Sequence, residues 1–300
     1  MIASGIWGGM YVVSKYLLEY VSPFVLLWLR FLIAFIVLGA CFKLRKKEKV
    51  QRNDWLFMVW LGFIGYLVSN GSGFIGTHLS TAHMGSLITA ASPTFTLVLA
   101  YLLLKEKLTI KKIIAIAMAT CGVVITVGME TTEGNRQMLG NLFLVLDALA
   151  WALYCVYVKK ITGKYSTLAI STYATGAALL VTTPVMLMDL NIEDLYSLKE
   201  ISIWLGILYL GVVATAIAFF LWNKGMEWLE AGIGSIFYFF VPVIGGIFSW
   251  IYLGEVISSS FLVGGLLIFI GTLIVFLKKP QILTKSKLVM KQKTGGVVEK

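Results

Sequence analysis

Ten apolar runs, each near the roughly 20 residues a helix needs to cross a bilayer, follow one another along the chain with only short polar links. They cover residues 2–18, 23–42, 55–77, 82–104, 113–129, 139–158, 167–188, 203–222, 231–253 and 261–277. A backbone in lipid must satisfy its own N–H and C=O groups, so runs of this kind fold as helices. A porin-like barrel does not fit, because its strands would alternate between lipid and a polar lumen. Of the 300 residues, 59% are hydrophobic and 13% charged, more apolar side chain than a soluble chain of this length can bury. A soluble enzyme, a nucleic-acid binder and a disordered chain are thereby excluded. No basic stretch precedes the first run at Met1, so no cleavable signal peptide is expected.

The net charge of +10 comes from 25 Lys and Arg against 15 Asp and Glu, and the placement of the basic residues orients the chain. With the N-terminus inside, the cytoplasmic links carry Lys43, Arg45, Lys46, Lys47, Lys49 and Arg52, then Lys105, Lys107, Lys111 and Lys112, then Lys159, Lys160 and Lys164, and Lys224. A basic tail, 278–300, adds the rest. Only Lys15, Arg136 and Lys199 fall outside, and Arg30 lies within a span. This asymmetry predicts both termini in the cytoplasm and an even number of spans. Cys41, Cys121 and Cys155 all sit in apolar segments, and no disulfide is expected.

The chain also repeats itself. At a constant offset of 149, residues 55–127 lie over 204–276 without a gap. Trp55 meets Trp204, Gly62 meets Gly211, Gly85 meets Gly234, Ser86 meets Ser235, Pro93 meets Pro242, Glu106 meets Glu255 and Gly122 meets Gly271. An offset of 144 aligns Trp7 with Trp151, Lys15 with Lys159 and Ser22 with Ser166. Each half then holds five spans, an odd number, so the second half enters the membrane inverted. The charges agree: Lys105, Lys107, Lys111 and Lys112 become Gly254, Val256, Ser260 and Phe261 in the copy. The fold class is therefore an all-α polytopic membrane protein whose ten transmembrane helices form two inverted five-helix repeats, 1–129 and 130–277. Inverted repeats point to alternating access about a central site.

Two five-helix units, each with an Ala-x-x-Gly-Ser-x6-Pro helix, resemble the drug/metabolite transporter superfamily, in particular its EamA type. The motifs read Ala82 to Pro93 with Glu106 and Gly122, and Ala231 to Pro242 with Glu255 and Gly271. Ile6-Trp7-Gly8, Pro23 and Arg30 match the family's first unit. The resemblance implies export of amino acids or other small metabolites. It also implies that spans 5 and 10 sit at the periphery, where a homodimer would make its contact. Relatives carry several residues, often basic, ahead of the Trp-Gly element, whereas Trp7 stands near the start here, as in a chain clipped or begun at a misassigned codon.

Charges inside a membrane are costly unless paired or hydrated. Two stand clear of span ends, Arg30 and Asp147. Asp147, Trp151 and Tyr154 follow spacings of four and three and share a helix face. That acidic, aromatic face suits an amine or a proton, or a structural pair with Arg30. Arg30 suits a substrate carboxylate or a clamp on backbone carbonyls. Trp7 and Tyr11 share a face, and Trp7 with Trp151 could wall one cavity or anchor at the interface. Pro93 and Pro242 each remove a hydrogen bond, freeing the carbonyls of Thr89 and Tyr238, which suits two hinges. Asn70, Ser86 and Ser235 need polar partners in lipid, from substrate or from neighbouring helices. His78 and His83 read as wet residues at the outer ends of spans 3 and 4. No metal site, no cofactor and no nucleotide-binding loop is indicated.

The reading that follows is a secondary transporter, not an enzyme. It would export small metabolites, amino acids or drug-like solutes across the cytoplasmic membrane, with lipids and a small-molecule substrate as its partners and no nucleic acid. An integral-membrane enzyme acting on lipid-linked substrates and a passive channel are the alternatives.

Overall fold

The computed structural model describes residues 1–45, 48–129 and 135–276; the basic tail at 278–300, together with Lys46 and Lys47, lies outside them. The described residues form helical rods joined by short links. They are α1 (Ile2–Leu17), α2 (Pro23–Leu44), α3 (Arg52–Leu79), α4 (Ala82–Leu104), α5 (Ile110–Met129), α6 (Asn135–Ile161), α7 (Thr167–Asp189), α8 (Ile201–Trp228), α9 (Ala231–Leu253) and α10 (Ser259–Phe276). A one-and-a-half-turn helix, Ile192–Ser197, lies in the link between α7 and α8. Seven of the rods, α2, α3, α4, α6, α7, α8 and α9, are long and apolar enough to cross a membrane. Large apolar side chains such as Leu56, Leu180, Met188, Leu205 and Leu262 face outward, as lipid contact requires and water would oppose.

Several rods are not continuous α-helix. α3 and α8 each contain a π-helical stretch, Phe63–Val68 and Tyr209–Ile217, at positions that overlap when shifted by 149. α4 is broken: one helix ends at Thr89 and another begins at Ser92, with Pro93 in its first turn. α9 passes through a 3-10 turn, Phe237–Phe239, just before Pro242. Pro93 thus starts a helix rather than bending one, and the carbonyl of Thr89 is not left free, since the Ser92 hydroxyl donates to it. α4 ends in left-handed backbone at Lys105 (φ 55°) and α9 at Gly254 (φ 65°), two positions 149 apart. A glycine takes this conformation without the steric cost that a lysine bears.

α1, α3, α4, α6, α8 and α9 surround the centre of the bundle, α2 and α7 pack together on one side, and α5 and α10 pack along each other at another. Helix-end contacts recur in matched form, some between the first and second halves and some within each. Backbone N–H groups at the start of α2, Ser22 and Phe24, donate to Asp194 and Asp189 at 2.7 and 2.8 Å. At the start of α7, Ser166 N–H donates to Glu48 at 2.9 Å. Lys15 donates to the carbonyls of Thr77, His78 and Ser80 at the end of α3. Lys159 does the same to Met226 and Glu227 at the end of α8. Each contact satisfies backbone groups that a helix end leaves without partners.

Candidate functional site

α6 carries Asp147 to the middle of the bundle because the helix needs 27 residues to run from Asn135 to Ile161, and the aspartate stands near its midpoint. Ser69, on the turn that follows the π stretch of α3, donates its hydroxyl to Asp147 Oδ1 at 2.6 Å. Gly73, one turn on, lets the carboxylate approach: a Cβ there would meet Asp147 Oδ2 at 2.6 Å. Among the described residues no cationic side chain lies within salt-bridge distance of Asp147. A buried carboxylate with a single hydroxyl partner is an expensive arrangement, and it draws a proton or a cation.

The carboxylate opens on a small cavity lined by Trp7, Met10, Tyr11, Asn70, Phe74, Trp151, Phe219 and Tyr238. The space within is about 20 Å³, room for a water molecule at most. Its walls are aromatic rings in edge and tilted contact. Trp7 lies 5.1 Å from Trp151, 5.4 Å from Phe219 and 5.7 Å from Tyr238, centroid to centroid. Two walls are hydrogen-bonded in place. Trp7 Nε1 donates to Ala214 O at 2.9 Å, in the π stretch of α8 where carbonyls fall out of the helical ladder. Tyr11 Oη is 2.8 Å from Thr89 Oγ1, at the break in α4. Among the described residues, Trp151 Nε1 is buried without a partner.

Of the residues singled out by sequence, Trp7, Tyr11, Asn70, Asp147, Trp151 and Tyr238 converge on this cavity. Thr89 touches it through Tyr11. Tyr154 stacks behind Trp151 at 5.0 Å and donates its hydroxyl to Asn223 at 3.0 Å, so it supports the wall rather than forming it. Arg30 is fully buried but lies off the cavity. Its Nε donates to Thr215 Oγ1 at 2.8 Å, and its guanidinium lies over the rings of Phe74 and Phe31. Among the described residues its two terminal nitrogens have no partner, and it makes no ion pair with Asp147. Ser86 and Ser235 turn their hydroxyls back to the carbonyls of His83 and Gly232, three residues earlier, as local helix bonds. Asn70 likewise donates to Gly65 O at 2.8 Å, filling a gap in the π stretch of α3.

One expectation needs correcting. His83 is not a wet residue at a helix end. It is buried in the first turn of α4, with Nδ1 2.8 Å from Glu255 Oε2 and its ring against Phe261. Glu255 comes from the link after α9, distant in sequence, so local context could not announce the pair. Ser69, Gly73, Met10, Phe74 and Phe219 were also missed. Ser69 could have been noticed as part of the polar Ser-Asn-Gly-Ser-Gly run within an apolar span. The rest look like ordinary packing residues until the helices are assembled.

The chain matches the EamA-like transporter family over residues 1–128 and 138–277. It is similar to "Uncharacterized transporter YetK" of Bacillus subtilis (strain 168), 28% identical over 284 residues, 93% of this chain and 86% of that one. It is similar at 27% identity over 276 residues to a "Probable amino-acid metabolite efflux pump" of Salmonella typhimurium, with 89% of each chain covered. A crystal structure of a protein 20% identical in sequence shares the fold, with a TM-score of 0.71 over 92% of this chain and 94% of that one.

Proposed function

Because the chain belongs to the EamA-like transporter family, we propose that it is a secondary active exporter of amino acids or similarly small metabolites, with Asp147 as its substrate-amine or proton site. The observation that carries the proposal is the placement of Asp147. It is a carboxylate with no cation within ion-pair distance among the described residues, set in a narrow aromatic cavity lined from both halves. Aromatic faces and a carboxylate together favour an ammonium group over a neutral solute. The similarity to a chain named as an amino-acid metabolite efflux pump supports the same class.

The cavity holds a water-sized space, so a substrate enters only if its walls part. That is the behaviour of a carrier passing through an occluded state, and a channel would need a continuous wet path. In this reading the ten rods are ten spans, arranged as inverted repeats 1–129 and 130–277 that rock about the cavity. The matched contacts of Lys15 and Lys159, and the overlapping π stretches of α3 and α8, support the repeat. The breaks at Pro93 and Pro242 serve as its hinges. The excess of Lys and Arg in alternate links supports both termini, including the tail 278–300, on the cytoplasmic side of a bacterial inner membrane. α5 and α10 lie at the periphery and would supply the contact of a homodimer. The alternative of an enzyme on lipid-linked substrates would need several reactive side chains at one depth, and beside Asp147 and the Ser69 hydroxyl the cavity lining has no histidine, cysteine or lysine.

Purified protein in liposomes tests the proposal. Counterflow of a panel of amino acids and amines, with and without a pH gradient, is expected to show saturable transport of at least one. No transport of any, under either condition, would remove the reading.

A further inference from the structure

The first stretch of α4, Ala82–Thr89, is held at its start and interrupted at its far end. At its start the backbone N–H groups of Ala82 and His83 donate to the two oxygens of Glu255, at 2.9 and 3.0 Å, and His83 Nδ1 lies 2.8 Å from the same carboxylate. At its far end comes the break at Ala90–Ala91, which Pro93 keeps from closing. The first stretch of α9, Ala231–Ile236, is built alike. The N–H groups of Ala231 and Gly232 donate to the two oxygens of Glu106, at 2.8 and 3.2 Å, and the far end runs into the 3-10 turn before Pro242. The six residues fall into three pairs: 82 and 231, 83 and 232, 106 and 255 are each 149 apart. Glu106 follows the left-handed end of α4 and Glu255 the left-handed end of α9, so each of these helices caps the other. Between the two joints lies the cavity, reached by Thr89 through Tyr11 on one side and by Tyr238 on the other.

We propose that Glu255 and Glu106 are the latches of two gates: each carboxylate holds the first stretch of α4 or α9 shut over one end of the cavity, and transport releases one latch while the other stays closed. The inference rests on the alternating-access reading above. Three features make the caps suited to release. Each joins the two halves, so a rocking motion strains it directly. Each holds a short rod with an interrupted helix at its other end, so a swing there breaks short turn bonds rather than a continuous α-helical ladder. The bonds have a substitute when they break, at least on the Glu255 side. There a polar recess of about 820 Å³, lined by Lys15, Glu19, His78, Arg136 and the latch residues His83 and Glu255, gives water a route to the freed groups. Exchange of a protein hydrogen bond for one to water costs far less than leaving a buried donor unpaired. Among the described residues, the carboxylate caps between the halves at Ser22, Phe24 and Ser166 hold helices that have no such break near their start.

Accessibility of the cavity, read from each side of the membrane, tests the latches without a known substrate. Met10→Cys, in the cavity wall, serves as the single cysteine in a full-length chain carrying Cys41→Ser, Cys121→Ser and Cys155→Ala. Its labelling by a membrane-impermeant maleimide is followed in right-side-out and inside-out vesicles. Glu255→Gln is expected to raise the labelling rate from the outer face about tenfold, the equivalent of one hydrogen bond to a charged acceptor, and to lower it from the inner face. Glu106→Gln is expected to do the reverse. Glu255→Asp and Glu106→Asp, which keep the charge but shorten its reach, should shift the ratio in the same senses by less, and they give the answer if the amide variants fail to reach the membrane. An unchanged ratio, or a rise from both faces at once, would overturn the latches and leave the carboxylates as static caps. If the parent cysteine is reached from one face only and no variant opens the other, the alternating-access reading fails as well.

Discussion

Residues 82–83 and 231–232 are held by carboxylates from the opposite half in nearly the same geometry, yet at the cavity the halves do not match. At the offset that aligns Trp7 with Trp151, Asp147 falls opposite Ala3 and Arg30 opposite Ala174. At the offset of the later spans, Ser69 falls opposite Ala218 and Asn70 opposite Phe219. What recurs at these offsets is what the inverted pair of bundles proposed above would need in order to stand: caps, breaks, close-packed glycines and one tryptophan wall on each side. What does not recur is charge and hydrogen-bonding at the centre. A repeat supplies mechanics twice over, but one binding site needs its polar groups once. The latches differ in the same way. Position 83 is a histidine bonded to its carboxylate, while Gly232 has nothing to add, and the Glu106 end has instead a Lys112–Glu230 ion pair at 3.3 Å.

The largest effect should come from the least symmetric residue. Asp147→Asn removes the charge but keeps the Ser69 contact, and it is expected to lower transport at least about a hundredfold with the melting temperature unchanged within a few degrees. Transport at the parent rate with the same pH dependence would return Asp147 to a packing role. Next comes Gly65→Ala. An added Cβ would fall 2.1 Å from the Tyr154 ring, whereas its counterpart Ala214 already carries a methyl in a fully buried position. Overpacking of this kind costs about 1–3 kcal/mol, seen as a lower melting temperature in detergent. The reverse change, Ala214→Gly, leaves a smaller defect, and equal losses for the two would say that the π stretches are more alike than their packing.

The tryptophan walls give a finer contrast. Trp7→Phe loses a buried hydrogen bond to Ala214 and leaves that carbonyl without its partner, for about 1–2 kcal/mol beyond the packing change. Trp151 Nε1 has no partner, so Trp151→Phe should cost less than Trp7→Phe in the same unfolding measurement. The smallest effect is a pH dependence at one latch. Burial raises the Glu255 carboxyl, but the bonds from His83 and from the Ala82 and His83 N–H groups outweigh it and hold the group below its ordinary value of 4.5. A depressed carboxyl stabilises the fold above its unfolded value and loses that contribution as pH falls through the folded one. The stability difference between the parent and Glu255→Gln should therefore be full near neutrality and shrink below about pH 4.5. A difference that keeps growing as pH falls below about 4.5 would contradict the cap.

The site was only partly legible in the sequence. Asp147 stood out because a charge in an apolar run is costly wherever the run is placed, and Trp7 and Trp151 stood out by recurring. Arg30 stood out for the same reason as Asp147. Yet its Nε donates to Thr215 and the side chain lies off the cavity, because which way a buried side chain points depends on the helix it meets. His83 looked like a residue at a wet helix end, and its partner lies 172 residues away. Ser69 and Gly73 differ little from their neighbours until α6 is laid against α3.

The sequence by itself determined that this chain is helical and made for a membrane, since the length of an apolar run and the cost of an unsatisfied backbone in lipid are local matters. It also carried its internal repeat, because a constant offset is a property of the string. The tertiary structure alone decided that Asp147 is left without a counter-charge, that Arg30 stands off the cavity, and that Glu106 and Glu255 each cap the helix of the other half. Those facts are distances between residues far apart in the chain. They follow from how the rods cross, which side-chain packing sets and hydropathy does not record.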